Sequence, residues 1–419
     1  EITIMGLVDI IFLISLSSIW TILLVNIILA ISGYIYYLKS LKFKDEKLKE
    51  YPFVSILVPA HNEGKVIGKT VESLLLLDYP IDKMELIVIN DNSSDNSKEV
   101  LESIKNRYRN YNFTIINTDN ITGGKGKSNA LNIGYGKSKG EYIAIYDADN
   151  TPEKTALRYL IQTIVKDEKL GAVIGKFRTR NKHKNLLTKF INIETLSFQW
   201  IAQAGRKQLL GLCTIPGTNF VIRKSTMESL GGWDTKAIAE DTEISFRIYK
   251  MGQRITYIPQ AVTWEQEPET LNVWIKQRTR WVKGNIYVLV KYITNIFKGK
   301  QNRVLFDILY FFSVYFLFLT SVVLSDIIFL LGIFKIVTIN IPFNFFIIWI
   351  LSYILFILQV SITLSMEKGE SNLSNIFLVA LMYFTYSQMW LVVAIKGMIG
   401  YFFDAIHKRE AKWYKTERF

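Results

Sequence analysis

The 419-residue chain has one cysteine and only eight prolines. The single Cys213 excludes an internal disulfide and a zinc site built from several thiolates, and it fits a reducing compartment. Glycine and proline are too sparse to mark a flexible hinge, and the chain has no internal repeat and no low-complexity linker. We therefore expect the polar middle of the chain to form one soluble domain.

Long apolar runs occur at both ends of the chain. Residues 10–31 contain one strongly polar side chain, Asn26, and are followed by tyrosines and lysines, as at the cytoplasmic edge of a membrane span. The run is too long for the apolar part of a signal peptide, so we expect a retained transmembrane helix. Further runs able to cross a hydrocarbon core of about 30 Å lie at residues 304–334, 342–364 and 376–403.

The net charge is +13, a value that is often associated with nucleic-acid binding. Here the lysines and arginines are scattered through the polar region and crowd the edges of the apolar runs, rather than forming one stripe. We interpret the charge as attraction to a membrane surface and to an anionic substrate. No nucleic-acid partner is predicted.

Short apolar runs alternate with helical patterns in the first part of the polar region, which predicts a parallel, doubly wound sheet. Ligands of such sheets bind beyond the carboxyl ends of the strands. The predicted strands cover residues 53–59, 86–91, 113–117, 142–146, 172–177 and 218–222, and later helices cover residues 186–203, 240–251 and 274–290.

Asp147 and Asp149 follow a wholly apolar predicted strand. Because they are two residues apart on an extended segment, their side chains point the same way. Mg²⁺ and Mn²⁺ bind such carboxylates and leave other positions to water and phosphate oxygens. The alternative is a solvent-exposed turn that caps the next helix. Asp91 ends another apolar strand, where it is either a helix cap or part of the same ligand site.

Two further features suit a phosphorylated substrate and acid–base chemistry. Lys127 follows a glycine-rich turn, where it is either solvated or in contact with a phosphate, although the Walker spacing is absent. Glu240 and Asp241 open a predicted helix. One acid can cap that helix, with a gain of about 0.3–1 kcal/mol from its dipole, and the other can act as a general base.

Arg280 and Trp281 lie on the predicted helix 274–290, just before the second apolar region. An arginine binds a diphosphate through paired hydrogen bonds that lysine cannot supply, and a tryptophan offers a flat face to a sugar ring. Without the upstream acids, this pair would be typical of a membrane-interface anchor. With them, we predict a substrate role.

Seven short motifs follow one another along the polar region. They are Pro59-Ala60-His61-Asn62-Glu63, Asp91, Lys127-Ser128-Asn129-Ala130-Leu131-Asn132, Asp147-Ala148-Asp149, Pro216-Gly217-Thr218, Glu240-Asp241 and Gln277-Arg278-Thr279-Arg280-Trp281. Their order resembles the membrane-embedded processive family 2 glycosyltransferases, which include cellulose, chitin, hyaluronan and poly-N-acetylglucosamine synthases. The resemblance covers about residues 50–300, and its most specific part is the Gln-X-X-Arg-Trp box.

The resemblance implies an α/β GT-A (Rossmann-like) domain inserted between transmembrane helices, a UDP-sugar donor, Mg²⁺ or Mn²⁺, and inversion at the anomeric carbon. By position, it assigns donor binding to His61, Glu63, Asp91, Lys127, Asp147, Gln277 and Arg280; metal binding to Asp147 and Asp149; catalysis to Asp241, Asp149 and Arg280; and acceptor binding to Trp281, Pro216, Gly217 and Thr218.

The last residues resemble the gating segment with which such synthases close over bound UDP, through Trp413, Thr416 and Arg418. An ordinary basic juxtamembrane tail is the alternative. The basic segments favour a cytoplasmic tail, which requires an even number of C-terminal spans, whereas hydropathy gives three. Either part of residues 304–334 begins as an interfacial helix, or this run holds two short crossings.

The predicted protein is a multi-pass enzyme of the plasma membrane with a cytoplasmic catalytic domain. It would extend a β-linked glycan, a β-glucan or an N-acetylglucosamine polymer, and extrude it, with the bilayer, the nascent glycan and accessory export or extracellular subunits as partners. The alternatives are a non-processive enzyme that adds one sugar to a lipid, and a transporter or receptor with a nucleotide-binding domain. The predicted regions are 1–38 (N-terminal span), 50–272 (catalytic domain), 273–303 (interface helices), 304–403 (channel helices) and 404–419 (tail).

Overall fold

A computed structural model describes residues 6–293, 302–338, 345–407 and 417. The helices are α1 (Leu7–Ser40), α2 (Ile67–Leu75), α3 (Ser97–Arg107), α4 (Lys127–Tyr135), α5 (Ala156–Val165), α6 (Leu186–Ser197), α7 (Arg206–Leu210), α8 (Lys224–Leu230), α9 (Glu240–Lys250), α10 (Leu271–Ile293), α11 (Asn302–Phe312), α12 (Leu319–Ile333), α13 (Phe345–Ser365), α14 (Leu373–Phe384) and α15 (Tyr386–Ile406). The strands are β1 (Val54–Ala60), β2 (Met84–Asn90), β3 (Phe113–Asn117), β4 (Tyr142–Ile145), β5 (Thr151–Pro152), β6 (Leu170–Thr179), β7 (Phe220–Arg223) and β8 (Arg254–Glu265).

The strands form one sheet in the order β3-β2-β1-β4-β7-β6-β8-β5. The first four pair in parallel, with Leu57 opposite both Ile87 and Ile145. Alternate residues of β1 enter separate hydrophobic cores, Ile56 on one face and Leu57 on the other. Both faces are covered, as the continuous apolar runs predicted, because a parallel sheet carries its crossover helices on both sides.

The second half of the sheet departs from the predicted parallel arrangement. β7 is antiparallel to both β4 and β6, so the sheet is mixed. β8, which pairs in parallel with β6, was missed by the pattern analysis. Its sequence contains Pro259, and the register jumps there, from Gly175 opposite Ile258 to Lys176 opposite Val262. Proline interrupts the strand pattern but is tolerated where the ladder is irregular.

The end of α1 packs against the sheet domain at very short range. Between α6 and α7 the chain forms a π-helix, Phe198–Gly205, and this segment lies along α1. A side chain at Gly33 would meet the Trp200 carbonyl, and one at Gly205 would meet the Leu29 carbonyl. The two glycines therefore allow the helix backbones to touch, as small residues do between membrane helices.

Within the described ranges, three helices are long and apolar enough to cross a membrane: Leu7–Ser40, Ile308–Gly332 and Tyr386–Ile406. The predicted run 304–334 forms α11, a π-helical segment (Ser313–Phe318) and α12, without a reversal of direction. The alternative of two short crossings in this run is therefore wrong. The predicted run 376–403 overlaps the third of these helices, but the backbone leaves helical geometry at Thr385 and divides the run into α14 and α15.

The loop between α13 and α14 is tied to the sheet domain by buried ion pairs. Glu367 accepts bonds from Lys176 at 2.8 Å and Arg178 at 2.7 Å. Glu370 accepts bonds from Arg178 at 2.9 Å and Lys182 at 2.6 Å. Both glutamate side chains are 3% exposed, so the charges compensate each other away from water. The end of α13 is thereby held at the sheet domain.

Helix α15 lies alongside α10 over most of its length and in the same direction. Near its start, the Trp274 indole N–H donates to the Tyr386 hydroxyl at 2.9 Å. Near its end, Lys283 pairs with Asp404 at 2.8 Å. Both ends of α15 therefore contact the helix that carries the Gln-X-X-Arg-Trp box.

Candidate active site

The functional side chains gather where β1, β2 and β4 end. Because these strands are parallel neighbours, the residues that follow them, Glu63, Asp91 and Asp147, reach one edge of the sheet. A cavity of about 370 Å³ opens beside this edge, and we refer to it as the sheet-edge cavity. It is closed on its other side by α9 and α10.

Most residues predicted for the site line the sheet-edge cavity. They are Glu63, Lys127, Asp147, Asp149, Pro216, Gly217, Thr218, Asp241, Gln277, Arg280 and Trp281. His61 and Asp91 lie outside its lining and contact each other, with His61 Nδ1 2.6 Å from the Asp91 carbonyl oxygen. The predicted gating residues Trp413, Thr416 and Arg418 fall outside the described residues.

Lys127 is the electrostatic centre of this cavity. Its ammonium lies 2.7 Å from Asp147 Oδ1 and 3.1 Å from Glu240 Oε1, and it donates to the Gly217 carbonyl at 2.9 Å. Burial disfavours the charge, but the carboxylates of Asp147 and Glu240 outweigh it and raise the pKa of Lys127. The lysine therefore stays protonated and links the ends of three chain segments.

Gly217 gives Asp241 and Lys127 the room to approach each other. Its φ of +84° is in the left-handed region, and a Cβ there would lie 2.9 Å from Asp241 Oδ2 and 3.4 Å from Lys127 Nζ. Only glycine combines that backbone conformation with so close a contact. The next residue, Thr218, accepts a hydrogen bond from the Asp147 N–H at 3.0 Å, which fixes the Asp-X-Asp segment against the same loop.

The residues present fit a divalent cation that is completed by a ligand. Asp147 and Asp149 both line the cavity, and Asp149 accepts a hydrogen bond from the Gln266 N–H at 3.3 Å. Among the described residues, no group of three or more His, Cys, Asp and Glu side chains is arranged to hold a metal. A pair of carboxylates is the set that Mg²⁺ uses when substrate phosphates and water supply its other ligands.

Asp241 lies in the cavity lining and has a raised pKa. It is the second residue of α9, and its Oδ1 accepts a hydrogen bond from the Thr242 N–H at 2.7 Å. Burial and then the neighbouring Glu240 raise the pKa of Asp241 to about 7, against the opposing effect of Lys127. A base with this pKa changes protonation state near neutral pH.

Asp91 is buried against the glycine-rich turn. Asp91 is 1% exposed, and its Oδ1 accepts bonds from the Thr118 hydroxyl at 2.8 Å and the Gly124 N–H at 3.0 Å. A Cβ at Gly123 would lie 2.4 Å from the same oxygen. Oδ2 is buried and has no hydrogen-bond partner within the described ranges, so it can accept a donor from a ligand.

The box on α10 contains a buried arginine that the sequence analysis missed. Arg278 is 1% exposed, bonds Glu194 at 2.8 Å and lies 3.8 Å from Glu267. Its guanidinium sits 3.9 Å from the centre of the Trp281 ring, a cation–π contact. Burial disfavours the charge, but Glu194 raises the pKa of Arg278. The contact with Trp281 follows from the helix, whereas nothing in the motif indicates Glu194, which is distant in sequence.

A second cavity of about 980 Å³ lies between the apolar helices, and we refer to it as the inter-helix cavity. It is lined by α1, α12, α13 and the turn between α14 and α15. Three residues line both cavities: Glu194, Phe198 and Trp390. The catalytic side of the molecule and the space between the apolar helices therefore meet at one acid and two aromatic rings.

Residues 52–284 match the family described as glycosyltransferase like family 2. The chain is 49% identical over 411 residues to the probable glycosyltransferase YdaM of Bacillus subtilis, and the alignment covers 97% of each chain. It is also 34% identical over 275 residues to the poly-beta-1,6-N-acetyl-D-glucosamine synthase of Staphylococcus aureus strain COL, which covers 64% of this chain and 65% of the relative.

Among solved structures, the mannosyltransferase PcManGT from Pyrobaculum calidifontis, in complex with GDP-Man and Mn²⁺, superposes with a TM-score of 0.66. The match covers 95% of this chain and 99% of that one. Because the two sequences are 19% identical, the likeness shows a shared fold alone.

Replacing Gly217 by Ala is expected to destabilise the domain more than the same change at Gly252. Both glycines have a positive φ, +84° and +80°, but a Cβ at Gly252 meets nothing within 4 Å. The two variants therefore share the backbone strain, and Gly217→Ala adds a clash with Asp241, for which we expect a further loss of about 1–3 kcal/mol. Unfolding midpoints of the purified proteins measure the difference, and equal midpoints would contradict the tight packing at Gly217.

Proposed function

Because this chain belongs to glycosyltransferase family 2 and has the GT-A fold, we propose that it is a membrane polysaccharide synthase. It transfers a hexosyl unit from a UDP-sugar to the non-reducing end of a β-linked glycan, with inversion, and passes the product across the bilayer. The observation that carries this proposal is the junction of the two cavities at Glu194, Phe198 and Trp390. A chain elongated in the sheet-edge cavity has a continuation between the apolar helices.

The donor fits the edge of the sheet by charge and by geometry. The uridine would lie beside His61, Asp91 and Glu63, and the diphosphate would lie near Lys127 and Arg280. Asp147 and Asp149 would hold Mg²⁺ or Mn²⁺, which when bound stabilises negative charge on the leaving diphosphate. Gln277 lines the same wall of the cavity and would add a polar contact to the donor.

Transfer requires a base for the acceptor hydroxyl, and Asp241 suits this role. Its carboxylate lies beside the Lys127–Glu240 pair. The charge of Glu240 raises the pKa of Asp241, and the charge of Lys127 lowers it. Trp281 is 38% exposed and presents a ring held by Arg278, on which the acceptor sugar would stack. Pro216, Gly217 and Thr218 form the neighbouring wall.

The relatives support the identity of the transferred sugar, and the size of the inter-helix cavity supports a polymeric product. The poly-beta-1,6-N-acetyl-D-glucosamine synthases of staphylococci support an N-acetylglucosamine polymer as the product. The 980 Å³ inter-helix cavity has room for several sugar rings, which a single-sugar transfer to a lipid does not require. Accessory export or extracellular subunits would bind this chain and receive the product.

We further propose that the C-terminal region crosses the bilayer twice. Helix α11 starts at the catalytic domain, where Ile308 packs with Phe246 and Tyr292. After α13 the chain contacts this domain again, because Glu367 pairs with Lys176 and Glu370 pairs with Arg178. At about 1.5 Å per residue, the 12-residue α14 is too short for a core of about 30 Å. Helix α15 has both ends on α10, so the tail returns to the catalytic side.

The transfer rate is expected to rise with pH through about 7 and then to level off. The raised pKa means that Asp241 is protonated below this value, where it cannot accept the acceptor proton, and ionised above it. The measurement is the initial rate of UDP release with saturating donor and acceptor between pH 5.5 and 8.5, a range of about 1.5 units on each side. A flat profile would exclude Asp241 as the base, and Asp241→Asn should retain UDP binding without turnover.

Purified chain in nanodiscs is expected to release UDP from UDP-N-acetylglucosamine and Mg²⁺ or Mn²⁺ and to form a polymer. UDP-glucose and GDP-mannose serve as competing donors, and linkage-specific glycosidases identify the product. Short lipid-linked glycan would support the non-processive alternative, and no nucleotide release from any donor would refute the proposed function. Asp241→Asn is the matched inactive control.

Single-cysteine labelling tests the two-crossing arrangement, since Cys213 is buried and gives little background. Ser371→Cys and His407→Cys are expected to react from the side of the catalytic domain, and Lys335→Cys from the opposite side. The readout is labelling by an impermeant maleimide in sealed vesicles of known orientation. If His407→Cys reacts together with Lys335→Cys, α15 crosses the bilayer and the arrangement is wrong.

A further inference from the structure

We infer that Glu194 is a sugar-binding residue at the junction of the two cavities, where it accepts a hydrogen bond from the glycan as the chain leaves the sheet-edge cavity. This inference rests on the proposed function, because it names the acceptor subsite of the same path. Glu194 lies on α6, and its side chain is 19% exposed although it lines both cavities. A glycan that moves from the sheet-edge cavity into the inter-helix cavity would pass this carboxylate.

The carboxylate is held in place on one side only. Its Oε2 accepts bonds from Arg278 at 2.8 Å and from the Tyr386 hydroxyl at 2.6 Å. Within the described part of the chain, both of these donors bond Oε2, which leaves Oε1 for a hydroxyl or amide N–H of a sugar. An acceptor whose orientation is fixed beforehand binds a ligand with less loss of side-chain entropy.

The surroundings match the chemistry of a pyranose ring. Phe198 and Trp390 line both cavities beside Glu194, and Trp281 lines the sheet-edge cavity with its ring under Arg278. Aromatic faces cover the apolar face of a sugar, and a carboxylate binds the polar groups at its rim. Phe198 is also the first residue of the π-helix, a rare conformation that is frequent at functional sites.

Arg278 connects this subsite to the catalytic residues. It bonds Glu194 with Nη2 and the side chain of Gln277 with Nη1 at 2.5 Å, while its guanidinium plane supports Trp281. Arg278 is thus a positioning residue, because its contacts run to Glu194, Gln277 and Trp281. The acceptor subsite and the donor wall share one buried cation.

The test compares how Glu194→Gln and the unsubstituted chain bind two probes by calorimetry, with UDP and Mg²⁺ present so that no turnover occurs. The probes are a β-1,6-linked N-acetylglucosamine tetrasaccharide and its de-N-acetylated form, which is cationic at mildly acidic pH. A carboxylate that faces the sugar should favour the cationic probe, and Glu194→Gln should remove this preference. The expected result is a change of about 10-fold or more in the ratio of the two Kd values.

A purely structural role for Glu194 would weaken both probes equally and leave that ratio unchanged, which would overturn the inference. Glu194→Asp keeps the charge and should keep the preference, so the test remains valid if Glu194→Gln does not fold. Glu46→Gln, which breaks the exposed pair with Lys166 far from the cavity lining, is the matched control and should change nothing.

The outcome can be separated from that of the proposed function. Slow UDP release from UDP-N-acetylglucosamine without acceptor is measured for the unsubstituted chain, and Glu46→Gln should leave it unchanged. If the unsubstituted chain releases no UDP from any donor, the proposed function fails, and the binding comparison still decides whether Glu194 faces a sugar. If release is normal and the ratio of Kd values does not change, only the inference about Glu194 fails.

Discussion

The ion pairs of Lys127 are the interaction on which the rest of the site depends. One buried ammonium connects Asp147 after β4, Glu240 at the start of α9 and the Gly217 carbonyl in the loop before β7. The pair with Glu240 is the more buried of the two, and removing one partner of a buried pair leaves an uncompensated charge, which typically costs about 3–5 kcal/mol. The same cation limits the pKa rise of Asp241, so that the packing of three segments and the proton chemistry of the site rest on one side chain.

The catalytic domain is joined to the apolar helices by two kinds of contact. Gly33 and Gly205 let α1 and the π-helix touch backbone to backbone, a contact that uses van der Waals packing. At the end of α13, Glu367 and Glu370 use charge instead, since their partners are half-buried cations of β6 and the turn that follows. These contacts hold α6, which carries Glu194, in register with the inter-helix cavity.

The prediction from sequence was accurate where the pattern was local. The strands β1 to β4 follow from continuous apolar runs, and the acids after them necessarily reach one sheet edge. β8 was missed because Pro259 breaks the pattern, and the break between α14 and α15 was missed because Thr385 does not disturb the apolar composition. Glu194 lies outside every motif and becomes part of the site only through contacts with Arg278 and Tyr386.

The sequence by itself determined the α/β domain, the apolar ends, the family and the set of polar residues around the sheet edge, because these depend on residue type, order and spacing along the chain. Only the tertiary structure decided the mixed sheet, the position of α15 along α10 and the junction of the two cavities at Glu194. Each of these depends on contacts between residues that are far apart in sequence, and no periodicity records which distant side chains pack together.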